Sequence, residues 1–431
     1  MCSLPRAYTP DASLLLGLSA LPIRIPQSQQ KHPPMSQYKT IDDLESGTSR
    51  VLVRADLNVP MKDGIITDST RIDRTVPTLL ELAEKGIGVI VLSHFGRPKG
   101  QRVEEMSLKP VAQGLSKALE GRNVTFADDC IGPDAKEVVS QMKPGEIVLL
   151  ENLRFHAEEE KNDPGFAAEL AALGDAYVSD AFSCAHRAHA STEALARLLP
   201  AAAGRLMQTE LEALSNALEN PTPPVAALVG GAKISSKMKV LGNLASKVDF
   251  LIIGGAMAFT FLKAQGFNTG GSLIDSDRLA IASELLNKAK SKNISIHLPK
   301  DVLASIEISE TSSWRISDVD GLKNDEIGLD IGPESCIEFE QILADANTIL
   351  WNGPLGVYEI SNYAVGTQFI AKSILKFTEA GTTSIIGGGD TSAAISALNF
   401  NNGFTHISTG GGASLELLSG NYLPAFKALD D

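Results

Sequence analysis

The chain has 431 residues, and at about 150 residues per domain that length excludes a single small module. Apolar residues at 43% and charged residues at 21% supply enough apolar surface for sizeable cores and exclude a disordered or collagen-like chain. With 38 Lys and Arg against 52 Asp and Glu, the formal charge is −14; nonspecific attraction to nucleic acid or anionic membrane is disfavoured, so an anionic ligand needs a local basic cluster.

The four cysteines, Cys2, Cys130, Cys184 and Cys336, lie far apart with no C-x-x-C pair. That argues against a disulfide framework or a zinc knuckle and for a reducing compartment. No apolar run reaches the roughly 18 residues of a spanning helix.

Residues 1–35 differ in character: Asp11 is their sole acid, and a short apolar run covers Leu14 to Leu21. This leader is expected to lie outside the fold, disordered or not translated. An upstream start ahead of a working start at Met35 and an acid-poor transit peptide both remain open, while a secretory signal lacks its small-x-small cleavage site.

From Arg50 onward, short apolar runs alternate with amphipathic stretches, the pattern of βαβ units around mostly parallel sheets. RVLVRADLNV, GVIVLSH, EIVLLENLRF and AYVSDAF are the strands expected in the first half. Between the first two, Ile72, Val76, Leu79, Leu80 and Ala83 follow helical spacing, with Gly86 as a stop. GRLMQTELEALSNALEN, residues 204–220, reads as an amphipathic connecting helix before the turn-rich PTPP. VAALVGG, VDFLIIGG, ISIHLP, TILWNGP and TSIIGGG are the strands expected in the second half.

The two halves end their strands differently. First-half strands run into Arg54, Asp56 and Asn58, into His94 and Arg97, into Arg154, and through Asp180 toward His186 and Arg187. With Arg71 at a helix start, these arginines form the local cluster that an acidic chain needs to hold a phosphate or carboxylate. Second-half strands run into Gly230-Gly231, Gly254-Gly255, Gly353, Gly387-Gly388-Gly389 and Gly410-Gly411-Gly412. Ligands of open α/β sheets bind beyond the carboxyl ends of the strands. Two half-sites are therefore expected, one reading charge and one approaching phosphates with bare backbone.

Individual motifs leave alternatives open. GGAKISSK carries Lys233 and Lys237 four apart but lacks P-loop spacing; the lysines serve an anion at a helix start or simply open a surface helix. In IIGGGDTSAAI, Asp390 is either the cap of a helix or the carboxylate partner of a phosphate-bound Mg²⁺. STGGGASLELL repeats that arrangement around Gly411. WNGPLGVYE puts Asn352 and Glu359 in a loop, with Trp351 read as packing and Glu359 as a ribose acceptor or a solvated turn residue.

With VRADLNVP, SHFGRP, ENLRF, AHRAH, VGGAKISSK, WNGPLGVYE, IIGGGDTS and STGGGASLELL in this order, the chain resembles the phosphoglycerate kinase family from about residue 38 to its end. The resemblance implies two Rossmann-like three-layer α/β domains with parallel sheets joined by a hinge helix. It implies ATP/ADP and 3-phosphoglycerate/1,3-bisphosphoglycerate as ligands, Mg²⁺ with the nucleotide, and a cytoplasmic monomer without nucleic-acid or membrane partners. Carried onto this sequence, its substrate set is Asp56, Asn58, Arg71, His94, Arg97, Arg154 and Arg187, with Arg54 a less sure ligand. Its nucleotide set is Lys237, Asn352, Glu359, Gly388, Gly389, Asp390 and Thr391, with Asp390 toward the metal. Arg71, Lys233, Gly388 and Gly411 are the implied catalytic positions.

The implied domains are 36–203 for 3-phosphoglycerate, 204–220 as connector, 221–406 for nucleotide, and 407–431 returning to the first. Leu57, where an aromatic is usual, and Ser236, where an acid is frequent, depart from the family pattern without touching these positions. A dehydrogenase of similar fold lacks its dinucleotide fingerprint here, and a silent phosphometabolite-binding module is disfavoured by intact Lys233, Arg71 and Asp390.

Overall fold

The computed structural model describes residues 38–430 apart from Asn293 and Asn401; the leader and Cys2 lie outside the described residues. The first half runs β1 (Arg50–Ala55), β2 (Met61–Lys62), β3 (Ile65–Ile66), α1 (Thr70–Glu84), β4 (Gly88–Leu92), α2 (Lys109–Ala118), β5 (Val124–Ala127), α3 (Gly132–Ser140), β6 (Ile147–Leu150), α4 (Ala157–Glu160), α5 (Pro164–Ala171), β7 (Ala176–Asp180) and β8 (Ala201–Ala203). Helix α6 (Arg205–Glu219) then leads into β9 (Val225–Val229), α7 (Ile234–Leu244), β10 (Phe250–Ile253), α8 (Met257–Ala264), α9 (Leu279–Ser291) and β11 (Ser295–His297). The remainder is β12 (Asp301–Ser305), β13 (Trp314–Asp318), β14 (Ile327–Ile331), α10 (Pro333–Ala344), β15 (Thr348–Asn352), α11 (Val365–Glu379), β16 (Thr383–Gly387), α12 (Gly389–Ala397), β17 (His406–Ile407), α13 (Gly412–Leu418) and α14 (Pro424–Asp430).

Two parallel sheets organise the chain, in the orders β5-β6-β4-β1-β7-β8 and β11-β10-β9-β15-β16-β17. Side chains alternate across a strand, so a parallel strand covered on both faces divides its residues between two cores. Val51 and Val53 of β1 join Val89, Val91 and Leu149 on one face, while Leu52 joins Ile90, Val148 and Tyr177 on the other. This second core continues through Met207, Leu211 and Leu214 of α6 into Ala227 and Leu251 of the second sheet. The opposite face of that sheet buries Leu228, Ile252, Trp351 and Ile386.

A third sheet, β13-β12-β14, was not expected: it is antiparallel. Its small core of Phe259, Leu262, Val302, Ala304, Val319 and Leu322 binds it to α8. The short alternating runs of Trp314–Asp318 and Ile327–Ile331 are too sparse in apolar residues to stand out beside the continuous runs of buried parallel strands. Among the described residues, no helix is long and apolar enough to cross a membrane. Cys130, Cys184 and Cys336 are free and buried.

Candidate active site

In the first half, the expected charged residues follow four adjacent strands. Asp56 and Asn58 follow β1, His94 and Arg97 follow β4, Arg154 follows β6, and Arg187 follows β7. Parallel pairing therefore gathers them at one edge. Arg71, in the first turn of α1, reaches Asp56 Oδ2 at 2.5 Å, and Ser183 Oγ donates to the same oxygen. Burial pushes the Asp56 carboxyl up, but His94, Arg71, Ser183 and Arg54 outweigh it and hold the carboxyl below its ordinary range. Asn58 Oδ1 accepts from Gly96 N at 3.0 Å, and Arg154 Nη1 donates to Gly96 O at 2.8 Å. The loop after β4 is thus tied to those after β1 and β6. Arg97 stands exposed and Arg187 half-buried.

Arg54 departs from the anion-cluster expectation. It is 1% exposed, and its guanidinium is spent on Ser191 Oγ at 2.8 Å, His94 Nδ1 at 3.1 Å and Ala55 O. A side chain so enclosed supports the site from below rather than meeting a ligand.

In the second half, the loops after β10, β9, β15 and β16 lie side by side. Not all their glycines leave room for phosphates. A Cβ on Gly230 would stand 2.1 Å from Pro354 O, and one on Gly254 would stand 2.4 Å from Leu355 Cδ2. Gly230 and Gly353 let their two loops pack backbone against backbone, and Gly254 makes room for the Leu355 side chain. Gly388 and Gly389 fit the phosphate reading better. Gly388 sits at φ 92° as the cap of α12, and nothing lies within 4 Å of a Cβ built on Gly389.

Because Gly388 is the cap, Asp390 is not: it lies exposed in the first turn of α12. That removes the purely local role its sequence context allowed and leaves its carboxylate open to solvent. Thr391 is buried, its hydroxyl accepting from Gly353 N at 2.6 Å and donating to Gly387 O at 2.8 Å; it pins two loops together. Lys233 caps α7 and is exposed. Lys237, one turn into that helix, donates to Asn352 Oδ1. Asn352 closes β15 as a buried strand residue rather than a loop residue. Burial lowers the Lys237 ammonium to about 8, against the opposing pull of Asp390.

Beside these loops opens a cleft of about 370 Å³ whose walls include Phe259, Leu329, Leu355, Tyr358, Glu359 and Asp390. Its apolar wall, missed from sequence, comes partly from the antiparallel sheet. One signal existed in Gly328: a Cβ there would stand 2.1 Å from Phe259 Cζ, so IGLDIGP carries a close-packing glycine. Trp351 is buried packing, its Nε1 donating to Gly353 O at 2.8 Å.

No cage for a metal surrounds Asp390. The groups of three or more metal-ligating side chains among the described residues do not include it. A single exposed carboxylate fits a divalent ion whose remaining ligands come from nucleotide phosphates and water.

The two sets approach one another through α6 and the chain after β17. Glu210 of α6, fully buried, accepts from Thr409 N and Oγ1 at 2.7 Å each and pairs with His406 Nε2 at 2.8 Å. The Gly410–Gly412 loop packs on Phe182 and His186; Gly411 within it adopts φ 50° with open space around it. Farther along, Ala425 N donates to Ala185 O at 3.2 Å, and Phe426 packs edge-on against Tyr38 at 5.6 Å.

Comparison with known proteins agrees with this arrangement. The family described as Phosphoglycerate kinase matches residues 41–421. A phosphoglycerate kinase of Cereibacter sphaeroides (strain KD131 / KCTC 12085) is 50% identical over 393 residues, covering 91% of this chain and 99% of that protein. One from Chloroherpeton thalassium is 47% identical over 394 residues, covering 91% and 99%. The solved structure of phosphoglycerate kinase from Coxiella burnetii aligns with a TM-score of 0.83 at 42% identity, covering 91% of this chain and 98% of that one. That from Pyrococcus horikoshii OT3 aligns at 0.77 and 32%, with the same coverage. A family match over nearly the whole described chain, together with relatives at this identity, shows that the chain belongs to the phosphoglycerate kinase family.

Proposed function

We propose that this protein catalyses reversible phosphoryl transfer between ATP and the carboxylate of 3-phosphoglycerate, giving ADP and 1,3-bisphosphoglycerate. The observation that carries the reading is the division of two chemistries between two sheet edges, guanidinium and imidazole groups on one and glycine-capped helix starts with lysines on the other. In this reading residues 36–203 bind 3-phosphoglycerate, 204–220 connect, 221–406 bind nucleotide, and 407–431 return to the first half.

Asp56, Asn58, His94, Arg97, Arg154 and Arg187 hold 3-phosphoglycerate, and Arg71 meets the migrating group. Lys237, Asn352 and the start of α12 receive the nucleotide phosphates, the apolar cleft takes the base, and Glu359 stands toward the ribose. Asp390 would hold a Mg²⁺ ion, which when bound neutralises charge on the nucleotide phosphates. Both acceptor oxygens are already deprotonated at pH 7, so no side chain need remove a proton. Positioning and charge stabilisation suffice, with Lys233, Arg71 and the amides at Gly388 and Gly411 converging on the migrating group. Closure about α6 excludes the water that would hydrolyse an acyl phosphate. A cytoplasmic monomer accords with this reading.

A coupled assay of ATP consumption tests it. Turnover is expected to require 3-phosphoglycerate, and Lys233→Ala is expected to lower kcat about a thousandfold with KM little changed. ATP use indifferent to 3-phosphoglycerate contradicts the function; a loss confined to KM contradicts the role of Lys233.

A further inference from the structure

A line of fully enclosed polar groups runs from the floor of the 3-phosphoglycerate half-site into the body of the first half. Glu159, in α4, and Ser191, in the single wide turn Ala190–Ala194, are both 0% exposed. Glu159 accepts from Ser191 N at 2.9 Å and from Ser191 Oγ at 2.6 Å. Ser191 Oγ, its proton so committed, accepts from Arg54 Nε at 2.8 Å. Arg54 Nη2 lies 3.1 Å from Nδ1 of His94. Tyr177 Oη holds the same turn through Ser191 O at 2.9 Å.

The direction of every bond in this line follows from its ends. A carboxylate only accepts and a guanidinium only donates. Arg54 must therefore give a proton to Nδ1 of His94, and an Nδ1 that accepts leaves the ring proton on Nε2.

We propose that Glu159 and Ser191 are positioning residues for the substrate half-site: by fixing Arg54 they hold His94 as the neutral Nε2–H tautomer, an uncharged donor toward the anionic substrate. The choice of ligand rests on the function proposed above; the tautomer does not. Other charges around His94 agree with a neutral ring. Burial and Arg54 hold it well below its ordinary value of 6.5, Arg154 and Arg187 act in the same sense, and Asp56 opposes them. An uncharged donor adds no further cation to a floor already carrying Arg54, and the ring itself brings no change of charge across the pH range where a free imidazole titrates.

Long-range ¹H–¹⁵N NMR of the ligand-free full chain, labelled in histidine and assigned by loss of one signal in His94→Asn, reads the ring directly. The expected pattern is Nε2–H without titration between pH 5.5 and 8. An Nδ1–H pattern, or titration near 6.5, overturns the proposal even if the enzyme turns over. Ser191→Ala and Glu159→Gln are then expected to let the ring titrate. They should raise KM for 3-phosphoglycerate about tenfold to a hundredfold, the cost of a weakened hydrogen bond to a charged group, in a pH-dependent way with KM for ATP unchanged. Ser191→Thr, which keeps the hydroxyl, should restore the wild-type pH profile. If the variants lower every parameter alike with the pH profile intact, the line is structural only and the proposal fails. Where a variant does not fold, the wild-type spectrum decides. Absence of ATP turnover with an Nε2–H ring would instead count against the proposed function.

Discussion

Lys237 shows how a single buried charge can be made responsive. Its ammonium is lowered to about 8 by burial, and its one neutral partner, the Asn352 carbonyl, does not replace the hydration it lost. A phosphate bound there, as proposed above, would supply the missing opposite charge and raise the ammonium again. Above pH 8, nucleotide binding is therefore expected to take up a proton. Calorimetry of ADP binding at pH 8.5 in buffers of different ionisation enthalpy should show uptake of up to about one proton, lost in Lys237→Met, with affinity falling as pH rises through 8. Identical apparent enthalpies in all buffers would remove Lys237 from the phosphate site. Other residues show a geometric part. Thr391 and Gly230 sit in the glycine-rich loop motifs, where one fastens loops by its hydroxyl and the other permits their contact.

At the scale of elements, α6 is started by a residue far from it in sequence. Gly204 offers no side-chain cap, and Asp180, at the end of β7, supplies one, its Oδ1 accepting from Leu206 N at 3.0 Å and Met207 N at 3.2 Å. Burial raises this carboxyl to about 7, against the bonds from Thr78, Met207 and Leu206. Between the ordinary 3.8 and about 7, the folded protein holds this proton more firmly than the unfolded chain does. Its contribution to stability is therefore full at low pH and declines as pH rises to 7. Asp180→Asn, which keeps the acceptor without the charge, should gain on wild type between pH 5 and pH 8 in denaturant midpoint. Asp180→Ala should lose about 1 to 2 kcal/mol at pH 5 through the missing cap. An Asn variant that tracks wild type at both pH values would show the carboxyl to be ionised throughout.

Sequence legibility divides at this same scale. The inner parallel strands and α6 were readable because burial on both faces imposes unbroken apolar runs and an amphipathic connector imposes helical spacing; the edge strands β5, β8 and β17 were not. Asp56, His94 and Arg154 were readable because a parallel sheet gathers whatever follows its strands. Strands β12–β14 were not, since Asp301, Arg315 and Asp330 interrupt their short apolar runs and the edge strand β13 leaves Trp314 and Ile316 facing solvent. Nor was the trans cap at Asp180, or the enclosure of Arg54: an arginine after a strand looks the same whether it meets a ligand or a buried serine.

At the scale of the whole molecule, the second core runs without a break from the first sheet through α6 into the second. Loop Gly410–Gly412 reaches Phe182 and His186 across the join. The closure proposed above would turn on this join, bringing the two edges together while the sheets stay rigid. Arg154→Ala is expected to weaken 3-phosphoglycerate binding at least tenfold in calorimetry while ADP binding is kept; the reverse result would exchange the roles of the halves.

The most direct test is a crystal structure of the ternary complex with 3-phosphoglycerate and a non-hydrolysable ATP analogue. Division of labour between the halves predicts the phosphorylated acid against Arg97, Arg154 and Arg187. It predicts the nucleotide tail at Gly388 to Asp390 and the two edges drawn together around Lys233 and Arg71. Both ligands lodged on one sheet edge, or bound with the edges no closer than in the free protein, would contradict it.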